Sequence, residues 1–349
     1  MHSFLSLPAQ IVAAASFLLL SACQPPPPSP ATDAPAAESS ALPSGWQHIE
    51  GRDLPAQVTV QPQLPVTVRS DDDVAVTITD STRIIAGGDD VIAVIDTLGL
   101  SAQVYAAPQR SATQTGRNAP RQFLFNRNTG AEGILSLDAT LFIGNSLRRH
   151  AHSGLATKLR DAGLATVIVD DLQPAPDKVR KVAAALGLAA EGERLAAQIQ
   201  AQLDEASAIG HAHPRKPRVI QVSASGAGGR PTVAGRDNAA AELIRLAGGI
   251  NIGDEAGVAN YSELSHEGVV ASDPEVILVT EQDLELFGGE AGLWRAYPTL
   301  KQTPAGQANR VWVMPDLQLK STSIASGAGA RALAQALAEL AAELTERAD

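Results

Sequence analysis

The densest set of chemistry-bearing side chains is the run Arg148-Arg149-His150-Ala151-His152, inside a loop over residues 144–154. Imidazoles at this spacing can ligate a metal, and neighbouring guanidiniums can grip a carboxylate with two parallel hydrogen bonds. Zinc would need further ligands at suitable spacing, and no second cluster supplies them. The other such pair, His211 and His213, lies in the polar connection GHAHPRK over residues 210–216 and reads as surface. Tyr261, in Asn260-Tyr261-Ser262-Glu263-Leu264, adds a phenol in a polar loop. Signatures of catalysis are missing: Gly87-Gly88 is not a GxGxxG pattern, no GxSxG occurs, and no acid–base constellation emerges. An enzyme is therefore not expected.

Two carboxylates stand out by repetition. Glu132 lies in AEGIL (residues 131–135) ahead of the apolar stretch 141–143, and Glu267 lies in HEGVV (residues 266–270) ahead of DPEVIL (residues 273–278). One helix-to-strand unit recurring this way predicts two similar lobes. The elements around it agree. Short apolar runs at 83–86, 141–143, 166–169, 219–222, 276–279 and 311–314 read as buried strands, with helical patterns between them. The expected class is α/β with largely parallel sheets. Val58 to Val60 and Val74 to Ile78, separated by Asp71-Asp72-Asp73, alternate with period two and read as small edge strands. Residues 177–186 read as one helix and 190–209 as another, with Leu195, Ile199 and Leu203 along one face. About 20 helical residues reach about 30 Å, enough to join two lobes rigidly across a cleft. The expected organisation is an N-terminal lobe over 57–189, an interlobe helix over 190–209 and a C-terminal lobe over 210–349 that ends in a helix.

Before residue 57 the chain has a different character. An apolar run over 11–20 is too short to span a bilayer and ends in Leu20-Ser21-Ala22-Cys23, which resembles the bacterial lipobox. Residues 1–22 are therefore expected to be a signal peptide, and Cys23 the lipidated N-terminus of an exported protein. Residues 23–56 read as a Pro/Ala-rich tether that cannot bury a core. Cys23 is the sole cysteine, so intrachain disulfides and a thiolate metal site are excluded. A net charge of −11 with no basic tract argues against nucleic acid. Gln24 rather than Asp follows the cysteine, which leaves inner or outer membrane anchoring open.

The folded part resembles the periplasmic-type binding proteins with a rigid interlobe helix that serve ABC importers of haem, cobalamin and iron–siderophores. The resemblance is carried by RIIAGG (residues 83–88) with the helix to Gly99, AEGILSL (131–137), AGRDNA (234–239) with LAGGIN (246–251), and PTLKQTPAG (298–306). The last two are most similar to the hemin-binding branch. It implies that Glu132 and Glu267 dock, one per lobe, on arginines of the permease; two separated carboxylates on a rigid face suit a basic two-fold partner. The bland alternative is a pair of first-turn carboxylates favoured by the helix dipole.

For the ligand, the resemblance implies an apolar slot, an axial iron ligand and cations for the propionates. The position that carries a tyrosine in related haem binders is Phe125 here, which cannot ligate iron but can stack, with Arg127 within reach of a propionate. The candidate axial pair becomes Tyr261 with His150 or His152, and Arg148 and Arg149 would offset the carboxylates. The expected activity is capture of hemin, a transported ligand rather than a resident cofactor, and delivery to ABC permease subunits by a lipid-anchored monomer. An iron–siderophore or cobalamin binder of the same fold is the alternative, and a surface haemophore without an importer is a third reading.

Overall fold

The computed structural model describes residues 42–124, 130–144, 154–224 and 232–347. Cys23, Phe125, Arg127, Arg148, Arg149, His150 and His152 lie outside the described residues. A first strand, β1 (Trp46–His48), precedes a hairpin of β2 (Val66–Arg69) and β3 (Ala75–Ile78). Next, β4 (Ile84–Ala86), β5 (Val104–Pro108), β6 (Arg121–Phe123), β7 (Leu141–Gly144) and β8 (Ala165–Ile168) form a parallel sheet in the order β6-β5-β4-β7-β8. After the long helix come β9 (Arg218–Ser223), β10 (Thr232–Ala234), β11 (Ile250–Asn251), β12 (Tyr261–Ser262), β13 (Val276–Thr280) and β14 (Val311–Met314). They make a second sheet, ordered β1-β14-β13-β9-β10-β12, with β11 also on β9. Its centre is parallel; β10 runs antiparallel to both β9 and β12.

Both sheets are covered on two faces, which is why their strands read as unbroken apolar runs rather than alternations. Successive residues enter opposite cores. Leu141 and Ile143 join one cluster and Phe142 another, while Val276 and Leu278 separate in the same way from Ile277 and Val279.

The helix Ala189–Ala212 links the two sheets. At 24 residues it runs about 36 Å, and its buried Leu195, Ile199 and Ala206 face the helices Ala175–Ala185 and Ser326–Glu346. Close approach is built in at Gly210, where a Cβ would lie 2.6 Å from the backbone of Ala247 and Gly248. The molecule is thus an α/β protein of two parallel-sheet lobes with a long helix between them. Among the described residues no helix is long and apolar enough to cross a membrane.

Two details differ from the reading of the sequence. Residues 58–60 form no strand, because the Val58 N–H donates to the Thr97 carbonyl at a helix end (2.8 Å) instead of to a partner strand. The hairpin pairs 66–69 with 75–78 around the Asp71-Asp72-Asp73 turn. Order also begins before residue 56. Trp46 is buried, packs edge-on to Trp294 at 6.3 Å and donates Nε1–H to Asn309, so one large side chain draws β1 onto β14. The chain then runs beside the long helix and the helix Ser326–Glu346. Gln318 holds both backbone groups of Gly51 (2.8 and 2.9 Å), and Gln202 donates to the Asp53 carbonyl (2.7 Å).

Candidate functional site

The residues that follow the carboxyl ends of the sheet strands converge on one cleft, as expected of α/β folds. It encloses about 530 Å³, within the usual range for small-molecule sites. The first lobe contributes Asp90, Leu172 and Lys178; the second contributes Asn238, Tyr261 and Lys320. Among the described residues, hydrogen bonds span the lobes at this level. Thr322 Oγ1 donates to the Asp171 carbonyl (3.0 Å), and Gln282 Nε2 donates to the Arg110 carbonyl (3.0 Å).

Tyr261 is positioned by β12, where it stands opposite Ala234 of β10. Its hydroxyl is buried and makes no hydrogen bond of acceptable geometry among the described residues, although the nearby Asn238 side chain favours its ionised form. Burial pushes the phenol well above its ordinary range, and the carboxylates of Asp283 and Asp316 push it further. A buried hydroxyl without a partner costs roughly 1–3 kcal/mol, so this group gains by meeting one. Leu172, 38% exposed on the opposite wall, offers apolar surface to a ligand.

Each wall also holds a lysine–aspartate pair. In the first lobe Lys178 Nζ lies 2.5 Å from Asp90, which opens the helix Asp89–Thr97 after β4. Lys178 donates as well to the Asp171 carbonyl (3.3 Å). In the second lobe Asp283, in the first turn of the helix Glu281–Phe287 after β13, receives Lys320 at 2.9 and 3.1 Å. Asp283 also accepts from Ser223 Oγ (3.0 Å), the Ala224 N–H (3.0 Å) and Thr280 Oγ1 (3.1 Å). The Lys320 ammonium sits 5.3 Å from the centre of the Tyr261 ring.

Of the sequence-selected residues, then, Tyr261 lines the cleft. Glu132 and Glu267 are both exposed in the first turns of the short helices Ala131–Leu135 and His266–Ala271, each anchored by one buried side chain, Ile134 or Val269. Among the described residues no group of three His, Cys, Asp or Glu is arranged to hold a metal ion. Asp90, Lys178, Asp283 and Lys320 were not singled out from the sequence. One signal was available: Lys178 is spaced four residues from Val182, so it occupies an apolar-face position that a lysine fills only when paired.

A family model described as "Periplasmic binding protein" matches residues 74–317. Among solved structures, the chain is 34% identical to the apo form of the periplasmic heme-binding protein RhuT from Roseiflexus sp. RS-1. That match covers 75% of this chain and all of that one, with a TM-score of 0.64. It is 26% identical to the heme binding protein HmuT over 84% of this chain and 97% of that one, with a TM-score of 0.69. Identity to the periplasmic heme-binding protein BhuT in complex with two hemes is 25% over 75% of this chain and all of that one, with a TM-score of 0.62. No curated protein sequence matches. A rigid helix between two parallel-sheet lobes, a cleft at the strand ends and a family match spanning both lobes lead to one conclusion: the chain belongs to the periplasmic binding protein family.

Proposed function

We propose that this protein captures hemin in the interlobe cleft and delivers it to the permease of an ABC importer. The observation that carries the reading is the Tyr261 hydroxyl, buried at the cleft wall with no close hydrogen-bond partner among the described residues, in a fold shared with heme-binding proteins. A phenol oxygen is an accepted axial ligand of haem iron, and Leu172 gives the macrocycle apolar contact. Phe125, Arg127, Arg148, Arg149 and a second ligand from His150 or His152 complete the reading as proposals from the sequence. Glu132 and Glu267 register the protein on the permease, Cys23 tethers it on the extracytoplasmic side, and the protein acts as a monomer without chemistry of its own. The tether keeps the capture protein concentrated near its permease.

Hemin titrated into the soluble chain lacking residues 1–23 is expected to give a saturable Soret shift. Tyr261→Phe should weaken binding by about tenfold or more, about 1.4 kcal/mol. No saturable shift, or preferential binding of a ferric siderophore or cobalamin, would remove hemin as the cargo. Separately, Glu132→Ala with Glu267→Ala should stop hemin uptake by cells while hemin affinity in solution stays unchanged. Undiminished uptake would overturn the docking assignment.

A further inference from the structure

Lys320 does more than close an ion pair. Its ammonium has three N–H donors, and the acceptors around it include Asp283 Oδ1 and Oδ2 and Ser223 Oγ, at 2.9–3.1 Å. These bonds come from the ends of β9 and the β13 helix, so the cation is fixed relative to the sheet rather than swinging on its stem. Held there, it faces the Tyr261 ring at 5.3 Å, inside the range of a cation–π contact. The other charges that act on this ring are the acids Asp283 and Asp316. Among the described residues, the other charged groups lining the cleft are Asp237 on the same lobe, and Asp171 and the Asp90–Lys178 pair on the opposite one. Lys320 is therefore the described cation packed on the tyrosine, where burial and the nearby acids Asp283 and Asp316 oppose negative charge on its oxygen and the Asn238 side chain favours it.

We infer that Lys320 is the positioning residue of Tyr261: it fixes the ring against the second lobe and offsets the negative charge of the phenol oxygen when that oxygen coordinates ferric iron. In that step an O–Fe bond forms, the O–H bond breaks and the proton leaves to solvent, with no change of oxidation state. The inference rests on the hemin reading and sharpens it, because it assigns the charge balance of the ligand to a residue 59 positions further along the chain (Lys320 against Tyr261). The neighbour at position 263 is Glu, which has the wrong sign for that task.

The test compares hemin-loaded mature protein with Lys320→Met, Lys320→Arg, Asp283→Asn/Lys320→Met and Tyr261→Phe. Readouts are the phenolate-to-ferric charge-transfer band, the hemin dissociation rate and the folded fraction by circular dichroism. Lys320→Met should shift or abolish the band and speed dissociation by about tenfold, in the range seen when the partners of a metal ligand are removed. Lys320→Arg should restore both. The double variant, which leaves no buried lone charge, should fold like the parent and still show the altered band. Parental spectra and dissociation in both methionine variants, with Tyr261→Phe altered, would overturn the role of Lys320 alone. A Tyr261→Phe spectrum identical to the parent would instead overturn the tyrosine as ligand, and this inference with it.

Discussion

The two walls of the cleft carry the same ionic unit under different conditions. In each lobe an aspartate in the first turn of a helix after a central strand meets a lysine from a later element. On the first wall both partners are sealed, with side chains 1% exposed for Lys178 and 5% for Asp90. On the second wall only Asp283 is sealed, at 1%, while Lys320 keeps 16% of its side chain accessible and faces an aromatic ring. A fully desolvated pair leaves little accessible charge for a ligand and ties the helix Asp89–Thr97 to the helix Ala175–Ala185. A pair with one partner at the surface keeps a field that reaches into the cleft. Likeness of sequence pattern between the lobes therefore does not imply likeness of task.

The largest expected effect breaks this comparison most directly. Lys178→Met leaves the Asp90 carboxylate buried without its counterion, which costs about 3–5 kcal/mol. Lys320→Met also strands an aspartate, but Asp283 retains Ser223 Oγ, the Ala224 N–H and Thr280 Oγ1, so about 1–2 kcal/mol is expected. Urea unfolding at neutral pH measures both, and Asp90→Asn/Lys178→Met should regain most of the first loss. Equal losses from the two lysine substitutions would show that the walls are energetically alike.

How much of this was legible beforehand follows the same division. The strand over 311–314 and the long helix were readable, because unbroken apolar runs and a four-residue apolar stripe need no tertiary partner to be recognised. The repeat that carries Glu132 and Glu267 was readable for the same local reason. β1 was not: three residues cannot show a period, and Trp46 owes its burial to Asn309 and Trp294, both more than two hundred residues away. Nor was the Lys320–Asp283–Tyr261 arrangement. Each member sits in ordinary polar sequence, and their meeting depends on β9 lying between β13 and β10. Tyr261 itself was legible from its place ahead of the repeat, whereas the cation that faces it required the sheet order.

The smallest effect concerns what each lobe adds to its sheet. The first lobe adds the β2–β3 hairpin and fastens its acidic turn by charge. Arg160 grips Asp72 with two bonds (2.6 and 3.0 Å), donates to Ser70 Oγ (3.0 Å) and to the Thr166 carbonyl (2.9 Å), and Lys181 pairs with Asp71. The second lobe adds β1 and fastens it by sheet pairing and the buried Trp46. Burial opposes the ionised form of Asp72, but the Arg160 and Ser70 hydrogen bonds and the Arg160 charge together outweigh it and hold the carboxyl below its ordinary value. The unfolded chain, with an aspartate pKa of about 3.9, then binds more protons than the folded one across the interval between the two values. The resulting stabilisation is fully present above the unfolded pKa and disappears as pH falls through the lower folded one. Arg160→Met should therefore cost about 1 kcal/mol at neutral pH, with the gap to the parent closing below about pH 4. β1 is held by backbone pairing and a buried indole, neither of which titrates in this range, so no comparable dependence is expected there. Hydrogen exchange read separately for hairpin and β1 amides should lose protection in the hairpin first on acidification. Simultaneous loss at both would mean that the two appendages are held by the same forces after all.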